Sequence, residues 1–297
     1  EVFKLKSRDE RRWGIASHFI LIILALLALL PFILLIVASF TDNTVAIQEG
    51  YTYFPSKLSL DAFVYIGRNA AMIFRAYGIT IIVTVIGTAL GLIITTLYAY
   101  MLSKKDLPGR TVLTLFVVVT MLFNGGLVPT YIVYANIFHI RNTIWALIIP
   151  NLLMNGFNVI LVKNYFENSI PAELYESARI DGAGELFIFA KIAMPLAKPI
   201  LATVGLLMGI AYWNDWQNGM YYLDDASLYS IQNILNQINQ NISYLASSGV
   251  SGVSMANLPT TTIRMAIAFV GILPILIAYP FFQKNFAKGI TMGSVKG

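Results

Sequence analysis

Residues 171–199 read PAELYESARIDGAGELFIFAKIAMPLAKP, and the reading of this stretch decides how the rest of the chain is arranged. It is the only long charged, helix-compatible segment between two strongly apolar runs in the second half of the sequence. It carries Glu173, Glu176, Arg179, Asp181, Glu185, Lys191 and Lys198. Pro171 suits the first turn of a helix, and Glu173 and Glu176 then sit near its positive end. Gly182 and Gly184 stop that helix. A second short helix is expected from Glu185 to Ala193, ahead of Met194-Pro195. Two short helices at a glycine elbow make a compact knob, suited to docking in a groove on another protein.

The surroundings of the knob are apolar. Hydrophobic residues make up 57% of the 297, charged residues only 12%, and mean hydropathy is +0.70. Soluble domains have roughly 45–50% apolar and about 25% charged residues, so an all-α, multi-span membrane protein is expected. There is no cysteine, which excludes disulfides and thiolate metal sites. His18 and His139 are the only histidines and read as packing or interfacial residues, so no metal site is expected. A net charge of +5 would suggest nucleic acid in a soluble protein. Here its uneven distribution suggests a membrane instead.

Six spans are expected, near 16–40, 76–102, 111–134, 142–163, 196–214 and 262–283, together forming a single transmembrane domain over 1–297. The uncharged run from Trp13 to Thr41 is about twice the length of a signal-peptide core, so it reads as a permanent first span. Ser59-Leu60-Asp61-Ala62-Phe63 reads as a short capped helix on the membrane surface. Gly78, Gly87 and Gly91 let neighbouring helices approach the second span. Asn124-Gly125-Gly126 interrupts the third. In the fourth, Asn151, Asn155 and Asn158 fall at spacings that put them on one helical face. Residues 215–261 read as a long polar loop.

The basic residues cluster in the N-terminal segment, in the 103–110 loop, between 163 and 198, and in the tail. Only Lys57, Arg68, Arg75, Arg141 and Arg264 lie on the opposite side. The positive-inside rule therefore puts both termini and the 171–199 knob in the cytoplasm, and the 41–74 and 215–261 loops outside.

No phosphate-binding loop is present, so ATP is not bound by that device. No catalytic constellation appears, and a non-enzymatic chain is expected. Asp215, Asp224 and Asp225 read as solvated loop carboxylates. No Asp or Glu falls within a span, which disfavours an ion-coupled carrier, although backbone carbonyls can bind sodium. What does occur is polarity beside aromatic rings: Asn124, Asn151, Asn155 and Asn158 in the third and fourth spans, then Trp213, Asn214, Asp215, Trp216, Gln217 and Asn218 at the outer end of the fifth. Buried amides need partners. Rings beside amides suit a neutral polyhydroxylated ligand, which makes this set a candidate substrate pathway. The competing reading has the asparagines join helices and the tryptophans form an interfacial belt.

Three runs in the knob carry a resemblance. Glu176-Ser177-Ala178, Asp181-Gly182-Ala183 and Met194-Pro195-Leu196 resemble the EAA loop of binding-protein-dependent ABC importer permeases, in which Glu-Ala-Ala and Asp-Gly-Ala precede an apolar residue and Pro. Ser177 replaces the first Ala, and Met194 the usual Leu. Over most of its length the chain is similar to the carbohydrate-uptake class, in particular to the maltose-type second permease and to permeases of complex-oligosaccharide importers, including those for uronate oligomers or alginate.

The resemblance implies an oligosaccharide permease of the bacterial cytoplasmic membrane. It implies pairing with a second permease, two ATPase subunits that bind ATP and Mg, and an external sugar-binding protein. No cofactor would be held by this chain. Glu173, Glu176, Ser177, Ala178, Arg179, Asp181, Gly182, Ala183, Gly184 and Pro195 would form the coupling loop, with Glu176 facing a basic ATPase residue and Lys296 reaching the ATPase from the tail. The alternatives are a permease of the same superfamily for peptides or another non-sugar substrate, and an ion-coupled secondary carrier.

Overall fold

The computed structural model describes residues 8–247 and 260–294. The described residues are predominantly helical, with one isolated antiparallel bridge between Thr41 and Leu58. They divide into two compact units, one of residues 8–70 with 238–247 and 260–272, the other of residues 71–237 with 273–294.

The first unit opens with α1 (Arg8–Ser39). Within its section Trp13–Ser39 the most apolar 18-residue window has a mean hydropathy of 3.4 and is unburied within the protein, whereas Ala38 and Ser39 at the helix end are buried. A helix bonds its own backbone internally, so an apolar surface all round is what a lipid environment demands. The hydroxyls of Ser39 and Thr41 donate back to the carbonyls of Ile36 and Val37, at 2.6 and 2.8 Å, and occupy acceptors the helix end would leave free. Residues 40–42 then pair with 57–59 through Asp42 N–H to Lys57 O and Ser59 N–H to Phe40 O. Asp42 caps α2 (Asn43–Gln48) by accepting the Thr44 N–H, and it pairs with Lys57 at 2.8 Å. That lysine holds the Asp42 carboxyl below the usual carboxylate range. Before α3 (Asp61–Arg68) the Ser59 hydroxyl accepts the Asp61 N–H, and Phe63 stacks on Phe40.

In the second unit, α4 (Ala70–Ser103) is a 34-residue helix. It is followed by α5 (Arg110–Leu122) and α6 (Leu127–Tyr131), which runs on to Ile137. The two bend by 117° across Asn124-Gly125-Gly126, where Gly126 takes a φ of 85°. The 142–163 stretch is not one helix. It holds α7 (Trp145–Ile148), turns through Pro150 and Asn151, and then α8 (Gly156–Asn168). Next come α9 (Ala172–Ile180), α10 (Glu185–Ile188), α11 (Met194–Leu196) and α12 (Lys198–Asn214), with an 80° bend ahead of α12.

The described part of the expected 215–261 loop is largely helical, through α13 (Gln217–Tyr222) and α14 (Ile231–Ser247); residues 248–259 lie outside the described residues. Ile231 and Ile234 recur at helical spacing and are buried, which anchors α14 despite its asparagines and glutamines. The chain closes with α15 (Thr260–Ser294), which carries Pro274 and Pro280. Among the described residues, Trp13–Ser39 and Ala70–Ser103 are long and apolar enough to cross a membrane. Each bent pair, Arg110–Leu122 with Leu127–Ile137 and Glu185–Leu196 with Lys198–Asn214, would add one more if counted as a single span.

Two apolar clusters hold the second unit. One gathers Leu102, Val117, Val162, Phe166 and Ile188 near the end of α4. The other gathers Val83, Leu147, Ile148, Tyr212 and Tyr222 around its middle. Between them α4 lies close against α12. A Cβ on Gly87 would meet the Tyr212 ring at 2.5 Å, and one on Gly91 would meet Met208 at 2.2 Å. Tyr212 donates to Ile148 O at 2.9 Å, which pins its ring. Gly78 faces open space and makes no such approach.

Candidate functional site

The 171–199 segment folds as a helix, an elbow and a second helix. Pro171 caps α9 and Glu173 lies in its first turn. At the other end, Gly182 N–H donates to Arg179 O and Ala183 N–H to Ala178 O, with Gly182 at a φ of 79°. This is a Schellman closure, and it needs the left-handed conformation that glycine adopts without strain. Gly184 has an ordinary negative φ and caps α10 instead. Ala178 turns inward to the apolar cluster. Glu173, Glu176, Ser177, Arg179 and Asp181 face out, beside the bare side chains of Ile180, Leu186 and Phe187. An acidic face edged by exposed large apolar residues marks an interaction surface. Pro195 lies in α11, at the approach to the 80° bend. Lys296 lies outside the described residues.

Glu185 ties the elbow to the rest of the unit. Its carboxylate accepts from Arg179 at 2.7 and 2.9 Å and from the Tyr100 hydroxyl at 2.8 Å. Lys104 Nζ stands 3.4 Å from the same carboxylate. Burial pushes the Glu185 carboxyl up, but Tyr100, Arg179 and Lys104 together outweigh it and leave it below its ordinary value. The Lys104 ammonium itself is shielded from solvent and lies 4.2 Å from the Tyr100 ring centroid and 4.1 Å from that of Tyr175. Burial lowers its pKa, against the pull of Glu185. A half-exposed pair such as Arg179–Glu185 contributes about 0–1 kcal/mol, whereas a desolvated cation over a ring reaches about 2 kcal/mol. The cage holds its cation at a desolvation cost that Glu185 only partly offsets. Sequence reasoning missed Tyr100, Lys104 and Tyr175. The i,i+4 pairs Tyr100–Lys104 and Tyr175–Arg179 were visible, but their meeting across 75 residues of chain was not.

The polar residues gather around two cavities. One, of about 250 Å³, is lined by Asn124, Thr130, Asn151, Asp215, Gln217, Asn218 and Tyr221, among others. The other, of about 680 Å³, shares Asn124 and Asn151 and adds Asn155, Tyr134 and Thr120. Asp215 accepts the N–H groups of Gln217 and Asn218, at 3.2 and 3.3 Å. Its carboxyl is nevertheless pushed up to about 6, because burial outweighs those bonds. Asp215 is thus half-buried at the cavity wall rather than in an extended solvated loop. Asp224 pairs with Arg141, and Asp225 accepts the Ser227 N–H.

The shared helical face proposed for Asn151, Asn155 and Asn158 is also corrected. Asn151 takes a φ of 61° in a turn, and Asn155 caps α8 by accepting the Asn158 N–H. Only Asn158 lies inside a helix, buried and outside both cavity linings. Short amide side chains compete with helical backbone bonding, which is why they end and start helices here. Asn124, Asn151, Asn155, Asp215 and Gln217 line a cavity. Trp213, Asn214 and Trp216 do not: Trp213 is buried, Asn214 donates to Ile210 O, and Trp216 O accepts from Asn233. Asn218, the last residue of the same polar run, also lines the smaller cavity. Tyr221 and Thr130 were missed, since single polar residues among apolar ones carry no pattern. Among the described residues, no three His, Asp or Glu side chains gather as a metal site.

Comparison with known proteins bears on this geometry. The family described as "Binding-protein-dependent transport system inner membrane component" matches residues 104–292. The chain belongs to that family. The matched region takes in the elbow, the cavity linings and Lys104. This permease is 42% identical to the polygalacturonan/rhamnogalacturonan transport system permease protein YtcP of Bacillus subtilis, over 97% of its own length and 99% of the relative's. It is 39% identical to the protein LplC of the same organism, over 91% and 90%. A solved chain described as part of a bacterial ABC transporter involved in import of the acidic polysaccharide alginate is 32% identical, with a TM-score of 0.76, covering 95% of this permease and 99% of that chain. The family is a non-catalytic membrane component of its transport systems.

Proposed function

We propose that this permease is one membrane subunit of an ATP-driven importer of oligosaccharides, with acidic, uronate-rich chains as its substrate class. The exposed elbow, lying inside the matched family region, is the observation that carries the reading. Its acidic and apolar outer face suits a groove on an ATPase subunit, and its inner face is fixed to the membrane helices. The substrate class rests on the relatives, which include permeases named for polygalacturonan/rhamnogalacturonan and for alginate transport. The cavities supply amides, hydroxyls and rings, the chemistry that meets sugar hydroxyls and C–H faces.

In this reading the chain crosses the membrane six times, the fourth crossing broken around Pro150 and Asn151 rather than continuous, and both termini and the elbow face the cytoplasm. It pairs with a second permease and two ATPase subunits, which hold ATP and Mg, and a sugar-binding protein delivers substrate from outside. ATP binding closes the ATPases, α9 follows as a rigid body, and the cavities switch their access. Asn124, Asn151, Asn155, Asp215 and Gln217 lie along the route, and Glu176 faces the ATPase.

The test is a pair of elbow variants in the assembled complex. Gly182→Pro forces φ to about −65° where the elbow needs the opposite sign. Glu176→Lys reverses the charge on the outer face. Both are expected to cut binding-protein-stimulated ATP hydrolysis and uptake by about tenfold or more. Unchanged stimulation in a fully assembled complex would overturn the reading.

A further inference from the structure

The Lys104 ammonium is a buried cation held by two tyrosine rings and one carboxylate oxygen, between three separate elements. Tyr100 belongs to the last turn of α4, Tyr175 to α9, and Glu185 opens α10. We propose that Lys104 is a positioning residue, the latch through which the elbow's motion reaches α4 and hence the cavity walls. The inference rests on the functional reading above.

Without the latch, the elbow's polar links to α4 reduce to one hydroxyl, the bond from Tyr100 to Glu185. Lys104 adds contacts to both halves of the elbow at once, 4.1 Å to the Tyr175 ring on one side of Gly182 and 3.4 Å to Glu185 on the other. The Tyr100 ring below it is braced by Phe189 and Phe166, at centroid distances of 5.0 and 5.7 Å. A displacement of α9 is thus carried into the end of α4 rather than absorbed at the glycine.

From there α4 acts as a rod. Gly91 is 13 residues before Lys104, about 20 Å along a helix. At Gly91 and Gly87 the helix touches Met208 and Tyr212 of α12 and the carbonyl of Leu153. Leu153 lines the larger cavity, and Tyr212 holds Ile148, next to Ile149 of the same lining. The glycines leave no side chain to cushion these contacts, so axial movement of α4 presses directly on the wall.

The chemistry fixes which substitutions discriminate. Lys104→Met keeps the length and apolar stem but removes the cation, whereas Lys104→Arg keeps it. Tyr175→Phe keeps the ring face, whereas Tyr175→Leu removes it. The assembled complex in proteoliposomes, with an oligogalacturonate and its binding protein, gives substrate imported per ATP hydrolysed. Lys104→Met and Tyr175→Leu are expected to keep basal ATP hydrolysis yet lower that ratio by about tenfold, with Lys104→Arg and Tyr175→Phe within about twofold of wild type. A role in stability alone would lower assembly and leave the ratio unchanged. If Lys104→Met fails to assemble, the Tyr175 pair decides. Equal ratios for Tyr175→Phe and Tyr175→Leu, or a wild-type ratio in assembled Lys104→Met, overturn the latch. A wild-type complex with no ATP-dependent uptake overturns the functional reading first, and the latch with it.

Discussion

Asp215 stands in a cavity otherwise lined by neutral side chains, and burial pushes its carboxyl up to about 6 from an ordinary 3.8. The protonated folded form is favoured by burial. Between about pH 4 and pH 6 the folded protein therefore binds more protons at this site than the unfolded chain, and stability falls as pH rises through that window. Below it, both states are protonated and the site contributes no slope. Asp215→Asn keeps an oxygen to accept the Gln217 and Asn218 N–H groups but removes the titration. Thermal unfolding of the purified complex should show a midpoint that declines for wild type from about pH 4 to 6, and a flatter one for the variant, which becomes the more stable form above about pH 6. A variant that is less stable at every pH would show that the charge itself is needed. The same residue marks the limit of sequence reading. Its neighbours Trp213, Asn214 and Trp216 gave a polar–aromatic cluster, yet of the run 213–218 it is Asp215, Gln217 and Asn218 that line the cavity, because the chain leaves α12 there and turns into α13.

At the scale of elements, the close approach of α4 to α12 is the feature most open to test. Gly87→Ala places a methyl group against a ring pinned by its own hydrogen bond and is expected to cost about 1–3 kcal/mol. Gly78→Ala meets nothing within 4 Å and is expected to be neutral or to stabilise by up to about 1 kcal/mol. Thermal unfolding of the two variants side by side reads the difference, and equal midpoints would refute the packing. These elements were unequally legible. The elbow was readable because proline, glycine and charge act locally, and the Schellman closure falls at Gly182. The 142–163 stretch was misread as continuous because its apolar content suits a helix. Pro150 and the positive φ at Asn151 break it, and no periodicity reports a backbone dihedral. The 215–247 region was misread the other way, since amide-rich composition hid the isoleucines that anchor α14.

At the scale of the molecule, composition settled a helical membrane protein, and the family match places it among inner-membrane transport components. The most apolar window of α1 is unburied within the protein, as a surface meant for lipid or another subunit requires. What composition did not carry is the joining of distant parts. The lysine cage and the cavities each assemble residues far apart in sequence, and single residues leave no period to find. The central claim is that this chain moves sugar only as part of an ATP-driven assembly. It is tested most directly by uptake of labelled oligogalacturonate into proteoliposomes holding this permease, its partner permease and the ATPase subunits, with binding protein on the substrate side. The account predicts uptake that requires ATP on the ATPase side and loaded binding protein, and that survives collapse of ion gradients. Uptake by this chain alone, driven by an ion gradient without ATP, would contradict it.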